Sequence, residues 1–69
     1  MIKLIGEKLK ELRKERKLTQ EEVSKILNIK QNTYSGYEND KSEPDIKMLI
    51  KIADTFKVSL DFLVGRYKH

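Results

Sequence analysis

The stretch Thr19–Asn39, TQEEVSKILNIKQNTYSGYEN, reads as a helix, a tight turn and a second helix. Thr19 opens the first helix with a capping box. Its hydroxyl can accept from the amide three residues on, and Glu22 can reach back to the amide of Thr19. Val23, Ile26 and Leu27 then fall on one helical face. Asn28 stands where the chain must reverse, and after glycine Asn best tolerates the left-handed backbone region. Ile29 follows as an apolar plug beneath the turn. The second helix, over about Gln31 to Glu38, buries Tyr34 and Tyr37 on one side and projects Gln31, Asn32 and Ser35 on the other.

Upstream, Met1 to Lys17 reads as an amphipathic helix with Ile5, Leu9 and Leu12 as its apolar stripe. Lys3, Lys8, Lys10, Lys14, Arg16 and Lys17 mostly face water, and the last three complement the helix dipole. Gly6 leaves the start of this helix open, because glycine costs about 1 kcal/mol relative to alanine in a helix interior. Leu18 closes the gap before the Thr19 cap. Downstream, Asp40 to Asp45 is a loop, and Asp at position 40 tolerates the left-handed region, though less well than Gly. Pro44 blocks helix continuation from before, and Asp45 caps a helix over about Ile46 to Phe56. Ile46, Leu49, Ile52, Ala53 and Phe56 line its inner face, with Lys47, Lys51 and Asp54 outside. Lys57 and Val58 turn the chain. Ser59 caps a short helix over Leu60 to Val64, Gly65 stops it, and the tail from Arg66 to His69 is expected to fray. There is no strand pattern, internal repeat or low-complexity segment, so the fold class is all-α.

Sixty-nine residues suffice for one small domain, here residues 1–69. The chain has no cysteine, which excludes disulfides and thiolate metal sites and fits a cytoplasmic setting. No apolar run approaches the about 20 residues of a membrane span, and no signal-peptide pattern opens the chain. The net charge of +4 sits wholly in the first half. Residues 1–34 carry nine basic and five acidic side chains, whereas residues 35–69 carry six of each. A basic excess around the two motif helices is compatible with a nucleic-acid partner and equally with solubilising lysines.

The Thr19–Asn39 segment resembles the helix-turn-helix of the phage-repressor and Cro-like (lambda-repressor-like) DNA-binding family. Ser24 stands where that motif has a small residue and Asn28 where it has its turn. Val23, Leu27, Ile29, Tyr34 and Tyr37 stand at its apolar positions. The likeness continues through LRKERKLTQ, YEND and EPDIKMLIKIADTFKVSLDFLVG, without a gap from Leu12 to Gly65. It implies a compact five-helix domain that binds double-stranded DNA, with the second motif helix in the major groove. Gln31 and Asn32 then become base readers, since a carboxamide pairs with adenine N6 and N7, and Ser35 a weaker one. Backbone contacts would come from Gln20 at the start of the first motif helix, from Lys30 and Thr33, and from Asn39, Lys41 and Ser42 in the following loop. The resemblance also pairs Arg13 with Glu38 as a structural salt bridge.

Two departures stand out. Lys30 occupies a position where relatives cap the second helix with Ser or Thr, and lysine accepts no hydrogen bond. Gly36 occupies a position where relatives often carry a long contacting side chain. Either fewer base pairs are read per half-site or the backbone approaches DNA closely.

Catalysis finds no support. His69 is alone and terminal, there is no Gly-rich phosphate loop, and the carboxylates are scattered over caps and outer faces. No metal, cofactor or small-molecule ligand is implied, and no membrane. The tyrosines at 34 and 37 could serve as stacking platforms for single-stranded nucleic acid, but their periodicity with Val23 and Leu27 favours core packing. The expectation is a transcriptional regulator, in the sense of a repressor, that binds a palindromic operator as a homodimer. Phe62, Val64 and Tyr67 are the candidate dimer contact. The alternatives are an antitoxin or adaptor module on the same fold, or the DNA-binding fragment of a longer repressor.

Overall fold

The computed structural model describes residues 5–64, which form α1 (Ile5–Glu15), α2 (Gln20–Leu27), α3 (Gln31–Glu38), α4 (Ile46–Phe56) and α5 (Leu60–Val64). No strand occurs among the described residues. Each helix contributes an apolar stripe to one core. Ile5, Leu9 and Leu12 come from α1, Val23 and Leu27 from α2, and Tyr34 and Tyr37 from α3. Leu49, Ile52, Ala53 and Phe56 come from α4, and Leu63 from α5. The two tyrosine rings meet edge to face, with centroids 6.4 Å apart, an arrangement worth about 0.5–1.5 kcal/mol beyond area burial. Tyr34 is wholly buried and Tyr37 nearly so. Neither ring is open to a stacked base.

The helix ends follow one rule. Lys17, Asn28, Asp40 and Lys57 all have φ between 57° and 63°. At each, the left-handed residue donates to the carbonyl three residues back and the next residue to the carbonyl five back, as Asn28 N–H does to Lys25 (3.1 Å) and Ile29 N–H to Ser24 (2.9 Å). These are Schellman turns without glycine. A non-glycine residue in this region costs roughly 1–2 kcal/mol, so something must hold it there. At three ends that is an apolar residue packed on the core, namely Leu18, Ile29 and Val58. After α3 the corresponding residue is Lys41, which is exposed. There Asp40 itself is the anchor, its carboxylate accepting from Gly6 N–H at 3.1 Å.

Gly6 therefore has a role beyond its helix propensity. A Cβ on residue 6 would overlap the carbonyl of Glu38, so the bare backbone is what lets α1 press against the end of α3.

The structure corrects the expected elements in three places. The first helix ends at Glu15, not Lys17, because Lys17 takes the left-handed turn. Its expected start at Met1 lies outside the described residues, as do Gly65 and the tail. Ile26 is 53% exposed and Ile46 60% exposed, although both were assigned to buried faces. Ile26 lies at the edge of the Val23–Leu27 stripe. Ile46 is the first residue of α4, ahead of where that helix meets the core. Arg16 also does more than face water. Its guanidinium donates to the Phe56 carbonyl at 2.6 Å and lies over the Phe56 ring, closing the C-terminus of α4.

Candidate nucleic-acid interface

The two motif helices are built differently. In α2 the Thr19 hydroxyl accepts from Glu22 N–H at 3.0 Å, and the Glu22 carboxylate accepts from Thr19 N–H at 2.8 Å. Both bonds of the capping box are present. The α3 start has Lys30 at its Ncap and no side-chain cap. Its first turn carries no acidic residue to offset the positive end of the helix dipole.

What holds α3 comes from elsewhere in the chain. Glu38 is buried on the back of its last turn, with a side chain that is fully covered. Arg13 Nε donates to its Oε2 at 2.7 Å and Nη2 to its Oε1 at 3.2 Å, a bidentate fork. Gln20 Nε2 donates to Oε1 at 2.9 Å. Arg13 Nη1 also donates to the Leu18 carbonyl at 2.9 Å. One carboxylate thereby ties α1, the start of α2 and the end of α3 together. Burial pushes the Glu38 pKa up, but the bonds from Arg13 and Gln20 outweigh it and the net direction is down. The bond to Glu38 drives the Arg13 pKa up. Tyr34 Oη is buried beside the pair without a hydrogen bond of good geometry. Burial first, then the Glu38 carboxylate, raises its pKa.

With its back fixed in this way, α3 turns its other side outward. Gln31, Asn32 and Thr33 are exposed at the N-terminal end, beside exposed Lys30. Ser35 is half-buried, and its hydroxyl accepts from Asn39 Nδ2 at 3.3 Å. Asn39, Lys41 and Ser42 are exposed after the helix. The expected contact residues on α3 and its flanks therefore lie along one helix and the loop that follows it. Gln20, at the start of α2, has an internal partner as well, its amide nitrogen donating to Glu38. The sequence pattern encodes neither that bond nor the one between Gly6 and Asp40. Both join residues distant in sequence, and only an unexplained glycine near a helix start pointed toward the second.

On α5, Phe62 is 38% exposed. Lys8 Nζ lies 5.0 Å from its ring centroid and donates to its carbonyl at 2.9 Å. Val64 is partly buried against the core, and Tyr67 lies outside the described residues. Among the described residues no group of His, Cys, Asp and Glu could hold a metal ion. No described helix is long and apolar enough to cross a membrane.

Residues 9–63 match the helix-turn-helix family model. The chain is 40% identical over 62 residues to the HTH-type transcriptional regulator ImmR of Bacillus subtilis, covering 90% of this chain and 49% of that protein. The chain spans about half the length of the curated relatives it matches. A transcriptional regulator from Listeria innocua has the same fold, with a TM-score of 0.85 and 34% identity, over 94% of this chain and 61% of that one. So does the P22 c2 repressor in complex with a synthetic operator. Its TM-score is 0.84 and its identity 26%, over 90% of this chain and 94% of that one. The five-helix fold is that of a phage-repressor-like DNA-binding domain, and the chain belongs to the helix-turn-helix family.

Proposed function

We propose that this domain reads double-stranded DNA by sequence and serves a transcriptional regulator, in the sense of a repressor, working in the cytoplasm. The observation that carries this reading is the division of α3. Its back is tied to α1 and α2 through Glu38, while Gln31 and Asn32 stand exposed at the end that a helix-turn-helix presents to base edges. Rigid support matters because a bidentate carboxamide–adenine pair tolerates little misplacement. Lys30, Thr33, Asn39 and Lys41 flank these two residues and are assigned to the sugar-phosphate backbone. Gln20 positions the helix from behind and adds at most a secondary phosphate contact.

One such face offers few base-reading side chains, so specificity calls for two copies on a palindrome, with half-site centres about 34–36 Å apart. Phe62 and Val64, with Tyr67, form the proposed dimer contact. The likeness to the P22 c2 repressor in complex with an operator supports DNA as the partner, and the likeness to transcriptional regulators supports regulation.

The test is selection of binding sites from a random DNA pool by the purified chain. Enrichment of an inverted repeat is the expected result. Recovery of no shared sequence, with binding that depends on salt alone, would overturn the proposal.

A further inference from the structure

Gly36 lies four residues past Asn32 and three past Thr33, so a side chain there would continue the exposed face of α3. The space is not open. Asp40 reverses the chain in the left-handed region, and the loop folds back over residue 36. Lys41 N–H donates to the Gly36 carbonyl at 2.9 Å, and Ser42 N–H approaches the same oxygen at 3.4 Å. The Ser42 hydroxyl lies 3.1 Å from the point a Cβ on residue 36 would occupy. Ser42 itself is exposed. The loop thereby sets a hydroxyl beside the place where the helix lacks a side chain. The anchor for this arrangement is the bond from Gly6 N–H to Asp40, which joins the loop to α1 rather than to solvent. Ser35, the helix's own hydroxyl, is half-buried and already engaged by Asn39.

We infer that Ser42 is a specificity-determining residue of this domain, supplying from the loop the base contact that Gly36 does not make. A hydroxyl donates and accepts, so it can meet either kind of group on a base edge. The inference rests on the reading of α3 as the major-groove helix and extends the contacted face beyond Gln31 and Asn32. Gly36 is a positioning residue, since a Cβ there would make the hydroxyl give way by a few tenths of an ångström.

Binding-site selection with the wild type, Ser42→Ala, Ser42→Thr and Gly36→Ala tests this, with thermal melts to verify folding. Ser42→Ala should keep the preferences set by Gln31 and Asn32. It should lose about three- to tenfold of preference at one base pair per half-site, the scale of a single hydrogen bond. Ser42→Thr should retain that preference. Gly36→Ala should displace the hydroxyl and weaken preference at the same base pair, and adding it to Ser42→Ala should change nothing further. If Ser42→Ala weakens binding to all sequences alike, the residue is a phosphate contact and the inference is overturned. An unchanged motif and affinity overturn it too. If the wild type selects no motif, the reading of α3 falls and takes this inference with it. A wild-type motif that Ser42→Ala reproduces defeats the inference alone.

Discussion

Helices α2 and α3 are each eight residues long and each is followed by a left-handed turn, yet they are stabilised by opposite means. In α2 the neighbouring residues do most of the work. Thr19 and Glu22 cap its start, Asn28 and Ile29 close its end, and Val23 and Leu27 give it a buried stripe. In α3 the start has no side-chain cap, and Gly36 interrupts a sequence otherwise rich in Ser, Thr, Asn and Tyr, none of them a strong helix former. It is held by Arg13 from α1, Gln20 from α2 and the two buried tyrosines. A helix secured from behind keeps its front polar groups free of internal partners. That separation is what a reading surface requires.

Removing the support behind α3 should have the largest effect. Arg13→Ala leaves the covered Glu38 carboxylate without its guanidinium and should cost about 3 kcal/mol. Denaturant melts at neutral pH measure this directly. The effect carries a pH signature. Because the folded pKa of Glu38 is lowered, its contribution to stability is fully present above about pH 4.5, the ordinary value, and is lost as pH falls through the lower folded value. The gap between wild type and Arg13→Ala should therefore narrow in acid, where a protonated Glu38 no longer needs the cation. A gap that stays constant would break the link between α3 and this pair.

The caps come next. Thr19→Ala should destabilise the protein by about 1 kcal/mol, since it removes an Ncap acceptor. Lys30→Ser runs the other way. It gives α3 the local cap it lacks and should add somewhat under about 1 kcal/mol, while weakening DNA binding through loss of a cation. Should Lys30→Ser leave the melting midpoint unchanged, α3 would be capped by some other means. The smallest effect is expected from Lys41→Ala, which should weaken binding to all DNA sequences alike and lower the salt slope by about 1. A changed base preference with the slope intact would contradict the backbone role of Lys41.

The same contrast explains what could be read in advance. The capping box of α2, the turn at Asn28, the Asp45 and Ser59 caps and the uncapped start at Lys30 all depend on residues within a few positions of one another. They were legible for that reason. The Glu38 site was only half legible. Its pairing with Arg13 followed from resemblance, but the bond from Gln20 did not, because a terminal amide serves phosphate and carboxylate equally well. Ile26 and Ile46 went astray because helical period gives the direction of a side chain but not where the neighbouring helix ends. Helix propensity flags Gly6 only as a weak helix start, and resemblance flags Gly36 only as a missing side chain. Gly6 admits the backbone of residue 38 and Gly36 lies close beside the Ser42 hydroxyl, approaches that no local pattern encodes.

The central claim is that the front of α3, at Gln31 and Asn32, meets the edges of paired bases. The most direct measurement is the ratio of affinities for a selected palindrome and a scrambled duplex at one salt concentration, in wild type and in Gln31→Ala with Asn32→Ala. Both residues are exposed, so the fold should survive the change. The account predicts that the ratio falls by about ten- to hundredfold, with binding to the scrambled duplex little altered. A ratio that stays at the wild-type value in a folded double variant would contradict it.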